Sequence, residues 1–410
     1  MSDTVDTQIT NPYYTYGVLY ESEEFSNWEI AQGKAYASYR EEWFTRPRDT
    51  EPGDFPLNLN VEITTRCNLA CTFCTHSSLV TSQIGDVSFP LFEDLLSEGQ
   101  EYGLATVNLN GLGEPLLNKD CTRFVRRAKE SGVLDVMFHT NATIMTEKLA
   151  DSLIQSGLDR IVFSVDSPDQ HTYESMRLLR SSYLKSKQSD LDHPIRGFSW
   201  TKILQNVNMF VDYRDRIGSK TPMVRTTMVV TDKTVDQVSM FVNLWKEIAD
   251  QITVQDLTWR TKLLDNDDWT NQEKSALPVR FDAIRERAIE EKIAFVCPVL
   301  YQSSYLFFDG TIIPCSNPNA RTHMIMGQLG DDNLHDIWTG ETYSSLRELH
   351  ESGRWFEHPI CRNCEVALVE LYKVVSPNEE NTIGSTPAHR TSEDMSLAEV
   401  QVAISDSRQV

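Results

Sequence analysis

The sequence predicts an α/β fold built around an open, partial (β/α)6 barrel. Between residues 57 and about 290, short apolar segments of strand type alternate with longer segments of helical periodicity. This alternation indicates parallel strands with helices on the outer face, and helix boundary signals such as Thr146 and Gly157 frame the helical segments. Parallel barrels carry their functional residues at the carboxyl ends of the strands, so we expect the site there.

The predicted elements follow one another along the chain as six strand and helix pairs. The strands cover residues 58–64, 105–110, 134–139, 159–165, 222–231 and 252–259. The helices cover residues 88–102, 118–131, 146–156, 199–215, 234–249 and 272–291, and the fifth opens with Thr234 and Gln237 at capping-box spacing. Residues 178–200 are too long for an ordinary connection, which predicts a lid over the site or a disordered insert.

Three further segments surround the barrel domain, which we place at residues 56–291. Residues 1–55 form a polar N-terminal extension with a helix expected near 25–44, and Pro47, Pro52 and Pro56 predict a linker into the first strand. Residues 292–375 form a second domain. Residues 376–410 are polar and poor in apolar side chains, so we expect a mobile tail.

The composition is that of an ordinary globular protein, with 410 residues, 40% hydrophobic and 24% charged. The net charge of −22 argues against nucleic acid or an anionic membrane as a partner. Apolar stretches of membrane-spanning length are missing, and the N-terminus carries no secretion signal. Together with the reduced thiols that metal ligands require, this predicts a cytoplasmic protein.

Three cysteines, Cys67, Cys71 and Cys74, stand as Cys-x3-Cys-x2-Cys directly after the first predicted strand. Three thiolates are one fewer than a tetrahedral zinc site or an all-cysteine cubane needs. A [4Fe–4S] cluster on three cysteines keeps one iron open for a cofactor or substrate. A zinc knuckle or a surface group of cysteines is the alternative interpretation.

With Phe73 before the last of these cysteines, the loop resembles that of the radical S-adenosylmethionine (SAM) enzymes. The resemblance implies a TIM-like partial barrel and SAM bound to the open iron. It also implies a flavodoxin- or ferredoxin-type reductant and a 5′-deoxyadenosyl radical that abstracts hydrogen from the substrate.

Other strand ends match the same family and suggest residues that bind SAM. The segment from Asn110 to Pro115 resembles the Gly-Gly-Glu-Pro motif with Leu112 in place of the first glycine, and the motif holds the SAM ammonium. The resemblance implies that a Thr-Asn pair after the third strand lies near the nucleoside of SAM. It also implies that a Ser-x-Asp motif after the fourth strand binds the ribose and the carboxylate of SAM. An arginine that follows is either a partner of the SAM carboxylate or an exposed helix residue. In this chain the SAM-binding residues that the resemblance implies are Phe73 of the cysteine loop and, at the strand ends, Gly113, Glu114, His139, Asn141, Ser164, Asp166 and Arg177.

A second set of cysteines, Cys297, Cys315, Cys361 and Cys364, lies in the C-terminal part of the chain. Residues 305–313 predict a β-hairpin with an Asp-Gly turn, which would carry Cys315 back beside Cys297. Four thiolates suffice for a closed cubane. The block resembles the SPASM/Twitch extension, and the shorter Twitch form, built on a hairpin and helix, fits best. The implied cofactors are two [4Fe–4S] clusters, one SAM-binding and one auxiliary, and SAM; a structural zinc site is the alternative for this block.

The C-terminal spacing resembles that of enzymes of the 2-deoxy-scyllo-inosamine dehydrogenase type. The resemblance implies dehydrogenation of a secondary alcohol on a carbohydrate or cyclitol, with the auxiliary cluster as electron acceptor. Arg225 and Arg260 are candidate substrate-binding residues on the last strands, although either arginine can equally form a structural ion pair. Cys121 is either a half-buried thiol or a hydrogen-atom donor, as in radical epimerases.

Three other functions stay open from the sequence. A radical epimerase or another redox-neutral sugar enzyme uses the same core. A peptide-modifying SPASM enzyme ranks lower, because residues 1–55 look too short for a leader-binding module, so we expect a sugar, cyclitol or nucleotide sugar as substrate. A non-catalytic iron–sulfur or zinc scaffold ranks last, because it has no use for an open iron.

Overall fold

The computed structural model describes residues 16–76, 84–180, 199–257, 281–364, 367–368 and 371. Most of the segment 178–200, which we predicted to be a lid or an insert, lies outside the described residues. Arg260 and the predicted tail 376–410 also lie outside them.

Ten strands form one sheet, in the order β1-β7-β6-β5-β4-β3-β2-β8-β9-β10. The six strands β2 to β7 are neighbours in sequence order and all pair in parallel, which confirms the predicted α/β barrel architecture. The strands are β1 Tyr16–Glu21, β2 Asn58–Val61, β3 Thr106–Asn108, β4 Asp135–Thr140, β5 Arg160–Ser164, β6 Met223–Val230, β7 Gln251–Asp256, β8 Ser303–Leu306, β9 Thr311–Ile313 and β10 Gly327–Gln328.

Helices connect the parallel strands and cover the outside of the sheet. The helices of the N-terminal extension and the barrel are α1 Glu23–Ala31, α2 Gly33–Asp49, α3 Phe89–Tyr102, α4 Cys121–Glu130, α5 Glu147–Gln155, α6 Gln170–Met176, α7 Trp200–Arg216, α8 Val238–Trp245 and α9 Phe281–Glu290. The helices of the C-terminal part are α10 Val299–Gln302, α11 Ala320–His323, α12 Leu334–Thr339, α13 Glu341–Glu351 and α14 Pro359–Arg362. The cap predicted for α5 is confirmed, because the Thr146 hydroxyl accepts the backbone N–H of Leu149 at 3.2 Å.

The capping box predicted at Thr234 and Gln237 is wrong. Residues Val235–Gln237 form a 3-10 turn, and α8 begins at Val238. The Thr234 hydroxyl donates to the Val229 carbonyl at 3.0 Å, and the Gln237 amide donates to the Thr172 hydroxyl at 3.0 Å. Tertiary partners therefore take both side chains that a capping box needs.

The N-terminal extension closes the amino end of the barrel. Strand β1 pairs antiparallel with β7. The predicted linker is confirmed at Pro52 and Pro56, which lie between α2 and β2, but it is wrong at Pro47, which lies inside α2 near its end. There a missing backbone N–H removes few helical hydrogen bonds. Aromatic side chains of α1 and α2 pack on the first residues of the barrel strands, and this cluster comprises Phe25, Trp28, Tyr36, Tyr39, Leu57, Ala105 and Met223.

The C-terminal part extends the barrel sheet. The predicted hairpin is confirmed as β8 and β9, with Gly310 in the left-handed region at φ +89°. Strand β8 also pairs in parallel with β2, so the hairpin is continuous with the barrel. Within the part of the chain that the structure describes, none of the helices is both long and apolar enough to cross a membrane.

Candidate functional site

The loop with Cys67, Cys71 and Cys74 is fixed at the carboxyl end of β2 by backbone hydrogen bonds. The N–H of Ala70 donates to the Leu178 carbonyl at 2.7 Å, and the N–H of Thr72 donates to the Met176 carbonyl at 2.9 Å. The loop therefore runs along the end of α6 and the residues that follow it.

The three thiols of this loop are half-buried and not disulfide-bonded. Burial raises the pKa of Cys67, and the neighbouring Cys71 raises it further. Burial also raises the pKa of Cys71 to about 12, while Arg177 acts in the opposite direction. The thiols are close enough to influence one another, and they need a positively charged group between them to become thiolates at neutral pH.

Gly113 and Glu114 pack directly on the backbone that leads into the cysteine loop. The N–H of Glu114 donates to the Arg66 carbonyl at 2.7 Å, and a Cβ at Gly113 would lie 2.2 Å from the Thr64 carbonyl oxygen. The buried Glu114 carboxylate accepts from the Thr140 hydroxyl and the Asn141 N–H, both at 2.7 Å. Glu114 thus joins this turn to the end of β4.

Asn141 continues the same network toward the cysteines. Its side-chain Nδ2 donates to the side-chain Oδ1 of Asn68 at 2.9 Å, and Nδ2 of Asn68 donates to the Thr143 hydroxyl at 2.7 Å. Both asparagines are buried, and Asn68 directly follows Cys67. The Thr-Asn segment therefore contacts the cysteine loop, and its predicted contact with SAM stays a prediction.

Asp166 and Arg177 form a buried ion pair beside the cysteine loop. The second carboxylate oxygen of Asp166 accepts the Val229 N–H at 2.9 Å. The guanidinium of Arg177 also lies over the Phe73 ring, 5.7 Å from its centroid. The structure thus brings three of the predicted SAM-binding residues together, and the half-buried Ser164 lies at the end of the adjacent strand.

A cavity of about 430 Å³ occupies the barrel interior. His139 of β4 and Arg225 of β6 both line it. The sequence suggested Arg225 as a substrate-binding residue and His139 as a SAM-binding residue, and both roles stay predictions. Burial lowers the pKa of His139 to about 3, and Arg225 and Arg160 add to this effect. His139 is therefore a neutral hydrogen-bonding group at physiological pH.

Cys121 does not lie with these residues. It is 3% exposed, at the start of α4, and belongs to the hydrophobic core of the barrel. It is not among the described residues that line the cavity. Burial raises the pKa of this thiol, and Glu114 adds to the effect, so Cys121 stays in the thiol form. The geometry places it in the hydrophobic core of the barrel.

Sequence reasoning missed Glu62 and Arg321, which form an ion pair with a closest distance of 3.1 Å at the cavity wall. Glu62 follows β2 and is 1% exposed, and Arg321 comes from α11 of the C-terminal part. A glutamate at an inward position of a barrel strand was the available signal for Glu62. The sequence held no comparable signal for Arg321, because its contact depends on the pairing of β8 with β2.

The four C-terminal cysteines come together in the described structure. Each is half-buried, and Cys297, Cys315 and Cys364 all act on Cys361, whose pKa burial raises well above its usual value. His350, which the sequence did not indicate, places Nε2 3.4 Å from the Cys361 sulfur and Nδ1 2.8 Å from the Phe295 carbonyl oxygen. A carbonyl only accepts, so Nδ1 carries the proton and fixes the imidazole orientation.

The two groups of cysteine thiols are suited to bind iron–sulfur clusters. One set has three sulfurs and the other has four, and all seven thiols are half-buried. Among the residues that the structure describes, no three or more His, Cys, Asp or Glu side chains are grouped so that they could hold a metal ion. A four-iron cluster is wider than one ion, so its cysteines need not crowd together as zinc ligands do.

Comparison with known proteins agrees with this organisation. Residues 61–242 match the Radical SAM superfamily, and residues 297–365 match SPASM, an iron–sulfur cluster-binding domain. The two matches together cover more than half of the chain.

Individual relatives are distant. The chain is 24% identical, over 75% of its length and 87% of the relative, to the tungsten-containing aldehyde ferredoxin oxidoreductase cofactor-modifying protein of Pyrococcus furiosus. It is 33% identical to the probable GTP 3′,8-cyclase of Methanothermobacter thermautotrophicus, over 33% of its own length and 43% of that protein. Streptococcus suis SuiB bound to precursor peptide SuiA shares the fold, with a TM-score of 0.51 and 14% identity over 80% of this chain and 75% of SuiB. The chain therefore contains a radical SAM domain and a C-terminal SPASM domain, and its cofactors are SAM and iron–sulfur clusters.

Proposed function

We propose that the chain is a radical SAM oxidoreductase that dehydrogenates a secondary alcohol of a small carbohydrate or cyclitol. One observation carries the proposal. The cavity of about 430 Å³ is lined on one side by Gly111 and Leu112, next to the proposed SAM site. On another side it is lined by Ser316 and Asn317, which directly follow Cys315. A substrate in this cavity would contact segments that adjoin both proposed cofactor sites.

We assign Cys67, Cys71 and Cys74 to the SAM-binding cluster, and the four C-terminal cysteines to one auxiliary cluster. When bound, SAM and its cluster supply a 5′-deoxyadenosyl radical that accepts a hydrogen atom, and the auxiliary cluster supplies an electron acceptor. The protein contributes orientation of the substrate and exclusion of water. Gly113, Glu114, Asn141, Ser164, Asp166 and Arg177 are the proposed SAM-binding residues.

The chemistry of the cavity wall favours a ligand with several hydroxyl groups. Asn58, Asn60, Asn108 and Asn110 follow the inner face of β2 and β3, and all four line the cavity. The side-chain oxygens of Gln251 and Gln302 are buried and have no hydrogen-bond partner among the described residues. Their amide nitrogens already donate, to Glu21 at 2.7 Å and to the Trp43 carbonyl. Hydroxyl groups can donate to such oxygens and accept from the neighbouring amides.

The size and closure of the cavity favour a small molecule over a peptide. Its volume falls within the range of about 300–1,000 Å³ that small-ligand sites occupy. Helix α2 contributes Arg40, Trp43 and Phe44 to the wall, so the N-terminal extension covers one side of the barrel interior. The likeness to SuiB concerns the fold alone and adds no weight to a peptide substrate.

Two observations bear on other functions. Cys121 lies in the core and away from the cavity wall, which does not favour a radical epimerase that uses this thiol as hydrogen donor. The Pyrococcus relative, matched over 75% of this chain, is named for modifying an oxidoreductase cofactor. Modification of an oxidoreductase cofactor is therefore the second candidate function.

The test uses the anaerobically reconstituted protein with dithionite, SAM and polyols deuterated at the carbinol carbons. Suitable probes are myo-inositol, D-glucose and 2-deoxy-scyllo-inosamine. We expect deuterium in the 5′-deoxyadenosine and one ketone for each SAM cleaved. Deuterium that returns to an epimerised alcohol without ketone would instead support the epimerase, and cleavage of SAM without transfer from any polyol would support the cofactor-modifying candidate.

A further inference from the structure

Glu62 lies where the barrel meets the C-terminal part of the chain, and residues of both contact it. It follows β2 directly and stands five residues before Cys67 in sequence. Its backbone N–H donates to the Leu306 carbonyl at 2.8 Å, which ties it to the end of β8. One carboxylate oxygen accepts the Leu112 N–H at 3.1 Å, and the Arg321 guanidinium lies 3.1 Å from the other oxygen.

A glycine at position 111 leaves space for the Glu62 side chain. A Cβ at Gly111 would lie 2.3 Å from Cγ of Glu62, so only glycine lets the side chain pass the Gly-rich turn. Arg321 is held in place from the other side, because its guanidinium lies 4.1 Å from the centroid of the Phe307 ring. The carboxylate orientation is therefore determined by residues of both domains.

The other candidates for a base in the cavity are less suitable. His139 has a pKa of about 3 because of burial and two nearby arginines, so it is a very weak base. Glu21 accepts from Ser26 and Gln251, and Glu29 accepts from Tyr36, so both are held in the N-terminal part of the wall. Of the three carboxylates among the described lining residues, only Glu62 contacts the turn at Leu112.

The surroundings of Glu62 suit proton transfer. Burial raises the pKa of this carboxyl, while Arg321 and the Leu112 N–H act to keep it ionised. The other charged or histidine side chains that line the same cavity are Glu21, Glu29, Arg40, His139, Arg160, Arg225 and Arg321. A carboxylate that is more basic than usual accepts a proton more readily, which suits a general base.

We propose that Glu62 is a further catalytic residue, whose carboxylate accepts the hydroxyl proton of the substrate while Arg321 positions it. The inference rests on the proposed dehydrogenation. In that reaction the carbinol carbon loses a hydrogen atom to the acceptor derived from SAM, and the hydroxyl loses its proton to Glu62. The remaining electron goes to the auxiliary iron–sulfur cluster as the C=O double bond forms, so atoms and electrons balance.

The test compares Glu62→Gln, Glu62→Asp and the control Glu93→Gln, all reconstituted and given the three deuterated polyols. Glu93 is a carboxylate of α3 on the outside of the barrel, in contact with Arg127 at 3.3 Å. We expect Glu62→Gln to transfer deuterium to 5′-deoxyadenosine but to lose ketone formation by about 100-fold or more, the usual contribution of a general base. Glu62→Asp should recover part of the ketone, and the control should match the unmodified protein.

A second readout needs no cofactor. In the metal-free protein, the infrared difference between the unmodified chain and Glu62→Gln isolates the Glu62 carboxyl band. We expect this band to titrate above the ordinary glutamate value of 4.5, in the direction that burial gives. A band that titrates at or below the ordinary value overturns the assignment, as does Glu62→Gln that forms ketone at the unmodified rate. Failure of the unmodified protein to take deuterium from any polyol instead contradicts the proposed function, and the assignment of Glu62 falls with it.

Discussion

Arg177 and Asp166 form a buried ion pair directly beside the loop that carries Cys71. The pair joins the residue after α6 to the turn after β5, and Asp166 adopts a positive φ of 22° to reach it. Arg177 therefore brings a positive charge to the thiols, and Asp166 prevents that charge from being buried alone. Removal of one side chain of the pair leaves the charge of the other buried without an opposite charge beside it.

We therefore expect Asp166→Asn to lower the free energy of unfolding of the metal-free protein by about 3–5 kcal/mol. The control is Glu147→Gln, which removes the carboxylate of the exposed pair with Arg216 and should cost less than about 1 kcal/mol. Urea unfolding measures both values. Equal losses in the two variants would show that the pair beside Cys71 is no more important than a surface pair.

His139 gives the protein a pH-dependent stability. Its folded pKa of about 3 lies below the ordinary value of 6.5, so the folded state keeps it neutral while the unfolded chain binds a proton. Stability from this residue is fully present above pH 6.5 and falls as the pH drops toward 3, by at most about 1.4 kcal/mol per pH unit.

The variant His139→Asn should remove the contribution of this residue to the change of the free energy of unfolding with pH. Urea unfolding of the metal-free protein at several pH values between 6.5 and 4 measures it, with His171→Asn on the exposed side of α6 as control. A slope that is the same in His139→Asn and the unmodified chain would contradict a buried, neutral His139.

Gly113 is predicted to be essential for assembly of the cysteine loop. A Cβ there would lie 2.2 Å from the Thr64 carbonyl oxygen, so Gly113→Ala must move the backbone that leads to Cys67. We expect this variant to lose the SAM-binding cluster while the auxiliary cluster still assembles.

Gly103→Ala is the matched control for this change. Gly103 has φ +81° and nothing within 4 Å of an added Cβ, so its change should cost about 1–2 kcal/mol of backbone strain without loss of iron. Iron analysis after reconstitution distinguishes the two, and full iron content in Gly113→Ala would refute the role given to this close contact.

The cysteines divide into three groups with different expected iron contents. Cys67→Ala and Cys361→Ala should each lose about four irons, because each removes a ligand of a different cluster. Cys121→Ala should lose none, because that thiol packs in the hydrophobic core. Iron loss in Cys121→Ala that is as large as in the ligand variants would overturn the assignment of seven ligands.

The barrel could be predicted from the sequence because its signals are local. Alternating strands and helices, the cap at Thr146 and the Asp-Gly turn each depend on a few neighbouring residues, and the structure confirms them. The capping box at Thr234 failed because Gln237 contacts Thr172, which lies far away in sequence.

The site was predictable only in part, for the same reason. The cysteines form recognisable spacings, and strand ends indicated Glu114, Asp166 and His139. The contacts of Glu62 with Arg321 and of His350 with Cys361 depend on how the C-terminal part meets the barrel, which no local pattern encodes.

The central claim is that this radical SAM chain holds a SAM-cleaving cluster on three cysteines and an auxiliary cluster on four. The most direct measurement is anaerobic reconstitution, with iron and sulfide counted and 5′-deoxyadenosine followed after addition of dithionite and SAM. We predict about eight irons and eight sulfides per chain, with SAM cleaved. About four irons with one zinc per chain would contradict the auxiliary cluster and the electron acceptor that dehydrogenation requires, and a full iron count without SAM cleavage would contradict the account as a whole.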